Sequence, residues 1–151
     1  MKHVLILLFF IFGINAFSQI KIEDVGDNWR SKVTEALVLI KNTDTQKYVL
    51  LMDVCNHVSF WNGGFSTTED SKTIMISQKD MKFNSINNIA AILVHESKHL
   101  FFLKYDCGLS PNNEEVVCYR YELLFLNRIP NVEPWLIGNA KSKIKYYESL
   151  D

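Results

Sequence analysis

The sequence predicts an α+β domain in which a small antiparallel or mixed sheet packs on one long buried helix and on further helices. Three observations predict it. Short apolar runs bounded by polar and turn residues crowd the first half, and apolar residues at three- and four-residue steps fill the second. The two kinds of element are separated along the chain instead of alternating. No repeat, low-complexity tract or long linker divides the sequence, so residues 19–151 read as one domain.

Residues 1–18 read as a leader. Met1-Lys2-His3 is basic, Val4 to Ile14 is almost purely apolar, and Ala16-Phe17-Ser18 puts small residues where a signal peptidase reads. Cleavage after Ser18 is expected, giving a secreted or periplasmic chain with no stable membrane span. About 130 residues then remain, enough for one modest core. A net charge of −1 gives no reason to expect nucleic acid or an anionic membrane surface as partner.

The first element expected is an amphipathic helix over Glu23–Asn42, with Trp29, Val33, Ala36, Leu37 and Ile40 on its apolar face. Tyr48–Val54 reads as a strand, an apolar run bounded by polar residues. His57–Trp61 is a second strand, and Asn62-Gly63-Gly64 a turn whose glycines accept positive φ. Lys72–Ser77 is a third strand. Ser85 or Asn84 then caps a helix from Ile86 to about Lys104, and Gly108 is placed to terminate it. Ser110-Pro111 is a cap and first-turn pair for a helix ending near Arg128. Pro130 stops that helix, and Asn131 and Pro134 open a last one carrying Trp135, Leu136, Ile144, Tyr147 and Leu150. The three cysteines cannot all pair internally; Cys107 and Cys118 can staple the loop between two helices, or Cys118 can serve as a small buried helix residue.

His95-Glu96-Ser97-Lys98-His99 is an H-E-x-x-H inside the apolar Ile86–Leu103 run. Residues four apart lie one turn above each other on a helix, so His95 and His99 can face one metal ion. Glu96, about 100° round the helix from His95, flanks that ion and suits a general base that takes a proton from water. Polar groups on so apolar a helix are costly unless paired or metal-bound. The motif therefore predicts a zinc site.

Catalytic zinc normally takes three protein ligands. No histidine follows His99, which leaves the carboxylates Glu114 and Glu115 at the start of the next helix. His57 is read as surface or cleft wall, and Glu122 as an acceptor for a ligand histidine or a solvated carboxylate. Tyr105, Tyr119 and Tyr121 are near enough in sequence to stabilise an oxyanion, with core packing as the plainer role for each.

H-E-x-x-H followed by a glutamate on the next helix resembles the gluzincin metallopeptidases of the zincin group. Glu115, with Cys118 three residues on and then Tyr119, fits the spacing found around the ligand glutamate of many members. The resemblance covers roughly Lys72 to Asn127; the gap between motif and glutamate is shorter than usual, and Cys118 stands where alanine is commoner. It implies a minimal zincin-like fold with one zinc on His95, His99 and Glu115. It also implies an endopeptidase acting on peptide or protein substrates, with the Lys72–Ser77 strand at the sheet edge beside the cleft. The competing expectation is a non-catalytic zinc-binding or envelope interaction module on the same scaffold.

Overall fold

Where backbone caps fall decides most of the architecture. A computed structural model describes residues 19–26 and 28–150, and the expected leader, residues 1–18, lies outside them. The described residues form six helices and a four-stranded mixed sheet, an α+β arrangement.

Lys21–Ile22, just before the expected helix, is strand β1, and it pairs in parallel with β2, His57–Trp61. Helix α1 therefore runs Trp29–Thr43 and begins later than its apolar period implies, after Asn28 turns the backbone left-handed at φ 59°. Its buried residues are Val33, Ala36 and Ile40, while Trp29 tilts against Phe60 of β2 with ring centroids 4.9 Å apart.

Tyr48–Val54 is helical, contrary to the strand expected there; it belongs to α2, Thr45–Val54. Asp44 decides this, because its carboxylate accepts from the Lys47 backbone N–H at 3.2 Å and caps the first turn. Burial of Lys47, Leu51 and Val54 then follows the helical period, which overrides the strand preference of an apolar run. Asp44 is itself buried and also accepts from Arg128 Nη1 at 2.7 Å. Asp44→Ala is expected to lower stability by about 1–2 kcal/mol from the lost cap alone. The buried Lys47 ammonium, 3.8 Å from Asp44, would lose its partner as well. Urea denaturation measures the difference.

Strand β3, Thr67–Thr68, pairs antiparallel with β4, Thr73–Ser77, and the sheet order is β1-β2-β4-β3. The Lys72–Ser77 segment is thus an interior strand, paired in parallel with β2 on its other side, and the edge is β3. Four of the five β4 residues are buried. The turn after β2 forms, but Gly63 is not among the positive-φ glycines. A side chain at Gly63 would collide with the Trp61 indole, so space, not φ, requires glycine. The Gly63 carbonyl accepts from Ser77 Oγ at 2.7 Å, and Asp80 accepts from Ser66 N and Oγ at 3.1 and 2.6 Å. These bonds fix the 62–66 segment to β4 and to α3, the short Gln78–Met81 helix.

Helix α4, Ile86–Tyr105, is capped by Ser85, whose Oγ accepts from Asn88 N at 3.1 Å. It ends where Asp106 turns left-handed at φ 46°, two residues before the glycine expected to end it. Helix α5, Pro111–Leu126, starts on a Ser110 cap as the Ser-Pro pair predicts. Helix α6, Pro134–Glu148, follows Glu133, whose carboxylate accepts from Ser85 Oγ at 2.5 Å and Asn87 Nδ2 at 2.6 Å. Glu133 thereby ties the start of α6 to the start of α4. One core joins all these layers, with Ile40, Leu51, Ile74, Ile76, Leu93, Leu100 and Phe125 fully buried. Cys55, Cys107 and Cys118 are free: the Cys107–Cys118 staple does not form, and Cys118 is a small buried residue of α5. Among the described residues no helix is long and apolar enough to cross a membrane.

Candidate metal centre

Four helices and the sheet edge line a cleft of about 710 Å3, the short α3 contributing Asp80. Helix α4 contributes Asn88, Ala91, Ile92, His95, Glu96 and His99, a stripe at three- and four-residue steps. From α5 come Glu115, Tyr119 and Glu122, and from α6 Leu136, Asn139, Lys143 and Tyr147. Phe65 to Thr68, the segment entering and forming β3, make the rim.

The two histidines of the motif converge. His95 Nε2 and His99 Nε2 are 3.2 Å apart. The Glu115 carboxylate straddles them, with Oε2 3.6 Å from His95 Nε2 and Oε1 3.5 Å from His99 Nε2. The outward Nδ1 atoms are each held by a different carboxylate, His95 by Glu122 Oε2 at 3.0 Å and His99 by Glu114 Oε1 at 2.6 Å. Glu114 and Glu115 therefore have separate positions: one faces the back of an imidazole, the other faces the convergent nitrogens. Adjacent residues on a helix point about 100° apart, which permits this division.

Cys118 is a further donor in reach. Ligand atoms of His95, His99 and Cys118 lie within 4.8 Å of one another, so this trio is a possible metal-binding group. Cys118 is fully buried and is not among the cleft-lining residues. Burial raises its thiol pKa well above the ordinary value, and the nearby carboxylates Glu115, Glu114 and Glu96 raise it further.

Glu96 is a buried residue, 6% exposed, that lines the cleft, and its carboxylate has neither a hydrogen-bond nor an ion-pair partner among the described residues. Burial raises its pKa above the ordinary carboxylate range, although the two histidines oppose the rise. Burial also works against charge on His95, but the bonds to Glu115 and Glu122 outweigh it and hold its pKa up to about 10. Glu115 goes the other way: burial disfavours its charge, but His95, His99 and Lys143 outweigh that and keep its pKa below the usual range.

The remaining residues singled out in the sequence divide cleanly. Tyr119 lines the cleft, its ring 4.3 Å from the His95 ring and stacked on Tyr147 at 6.0 Å. Tyr105 lies away from it, its hydroxyl donating to Asp53 at 3.4 Å, and Tyr121 carries the Lys47 ammonium 3.4 Å above its ring. His57 opens β2 and does not line the cleft. The α6 wall was not foreseen. Leu136, Asn139, Lys143 and Tyr147 share a helical face, but nothing in their spacing says which helix they meet. No protein-family model matches the chain, and no curated protein and no solved structure matches it.

Proposed function

We propose that the chain is an exported zinc-dependent endopeptidase with a minimal zincin-like fold of the gluzincin type. The observation that carries this reading is the set of separations at the convergent nitrogens, 3.2, 3.5 and 3.6 Å. Ligands bonded to one tetrahedral zinc at roughly 2.0–2.2 Å stand about 3.3–3.5 Å from each other. His95, His99 and Glu115 would hold the ion, and Glu122 and Glu114 would orient the two imidazoles by accepting their Nδ1 protons. When bound, zinc lowers the pKa of a coordinated water and polarises a peptide carbonyl.

Glu96 supplies the proton handling. It is buried, without a protein partner, and next to the metal ligands, so its carboxylate accepts a proton from the attacking water and returns it to the leaving amine. The β3 edge supports a peptide substrate, since β3 is one of the two edge strands and Thr67 and Thr68 line the cleft. An extended chain can pair with such an edge while its scissile bond faces His95 and His99.

Glu122→Gln is expected to weaken zinc binding about 10- to 100-fold, because the amide is a poorer acceptor for His95 Nδ1–H. Competition against a chromogenic chelator reads this directly. The peptidase reading is tested with a mixture of quenched fluorescent peptides. Cleavage that stops with chelator and returns with zinc is expected, and no cleavage by fully zinc-loaded protein would contradict it.

The neighbouring Cys118 favours a second reading, a non-catalytic zinc site that includes His95, His99 and Cys118 and serves an interaction module. Replacement with cobalt(II) separates the two. A thiolate-to-cobalt charge-transfer band lost in Cys118→Ala supports the structural site, and its absence supports the carboxylate ligand.

A further inference from the structure

We propose that Lys143 is a specificity-determining residue that binds a carboxylate group of the peptide substrate inside the cleft. This rests on the cleft being a peptide site, as argued above.

Charge in the cleft is one-sided. Asp80, Glu96, Glu115 and Glu122 line it, and among the described residues Lys143 is the one lysine or arginine that does so. The acids are occupied or assigned. Asp80 accepts two bonds from Ser66, Glu122 holds His95, Glu115 faces the histidine pair and Glu96 acts as base. Lys143 has no hydrogen bond or ion pair among the described residues, yet it is half-buried in the cleft wall. On the same helix Lys141 and Lys145 are exposed, as lysines usually are. An ammonium turned into a cleft gives up part of its hydration, and an incoming anion restores what it lost.

Position adds to the argument. Asn139 and Tyr147 lie one turn before and one turn after Lys143 on the same face of α6, and both line the cleft. Each brings to the cleft wall a polar group of a kind that can donate to a carboxylate. The carboxylate can come from an Asp or Glu side chain or from the C-terminus of the peptide.

The test uses the full chain carrying Glu96→Gln, loaded with zinc, and three N-terminally dansylated pentapeptides. One has a free C-terminus, one is its amide, and the third is the amide with an internal Glu. One of the two carboxylate peptides is expected to bind about 10- to 100-fold tighter than the neutral amide. Lys143→Met should abolish that preference and Lys143→Arg should restore part of it. Preference for the free C-terminus identifies terminal-carboxylate recognition, and preference for the internal Glu identifies side-chain recognition. Equal binding of all three peptides, no binding at all, or an equal weakening of all three by Lys143→Met would overturn the proposal. Hydrolysis by the wild-type chain is followed separately. A carboxylate preference without hydrolysis retains this inference and removes the peptidase reading, and hydrolysis without preference does the reverse.

Discussion

Glu96→Gln is expected to lower kcat for peptide cleavage by about 100- to 10,000-fold while zinc content and melting temperature stay near those of the wild type. The substitution keeps the volume of the side chain and removes its ability to take a proton. Glu96 contributes no hydrogen bond or ion pair to the fold among the described residues, so little stability depends on its charge. Its charge is in fact disfavoured by burial, and a neutral amide there relieves that cost. The expected pattern is therefore loss of turnover with retention of metal and fold. Near-wild-type turnover in the Gln variant would mean that another group handles the proton.

Much of this arrangement is legible in the sequence. The H-E-x-x-H helix, its Ser85 cap, the Ser110-Pro111 start of α5 and the Pro134 start of α6 all follow from local chemistry, and all are found. Strong periodicity and cap residues act over a few positions, so sequence carries them directly. The failures share a different cause. Tyr48–Val54 has the composition of a strand, and only the Asp44 cap and the burial of Leu51 and Val54 make it helical. Lys21–Ile22 becomes a strand because β2 is beside it, a partner 36 residues away in the His57–Lys21 pairing. Two-residue strands such as β3 have too little pattern to be seen at all.

The site divides along the same line. His95, Glu96 and His99 are fixed by one helix and were readable as a unit. Choosing between Glu114 and Glu115 needs the rotation of α5 against α4, which no spacing within either helix contains. Glu122 was readable as an acceptor because it lies seven residues, two turns, beyond Glu115. Lys143 and Tyr147 were not, since their role depends on α6 folding back beside α5 after the Pro130 break. The Glu133 bonds to Ser85 and Asn87 that help hold α6 there link residues 48 and 46 positions apart.

Glu115→Ala carries the other large effect. With Glu115 as the proposed third ligand, its removal leaves only the two imidazoles of that site, and a two-ligand site does not hold zinc against water and buffer. Loss of nearly all bound metal, and of all activity that depends on it, is expected. Glu114→Ala should behave differently, because its carboxylate touches His99 Nδ1 and not the convergent nitrogens. A moderate fall in affinity, about 10- to 100-fold, is expected for that variant.

Elemental analysis of zinc in the wild type and in Glu115→Ala, Glu114→Ala and Cys118→Ala is the most direct test of the metal centre. The arrangement of His95, His99 and Glu115 predicts one zinc per chain in the wild type and in Cys118→Ala, weaker retention in Glu114→Ala, and none in Glu115→Ala. Zinc kept by Glu115→Ala but lost by Cys118→Ala, or no zinc in the wild type after loading, would contradict it.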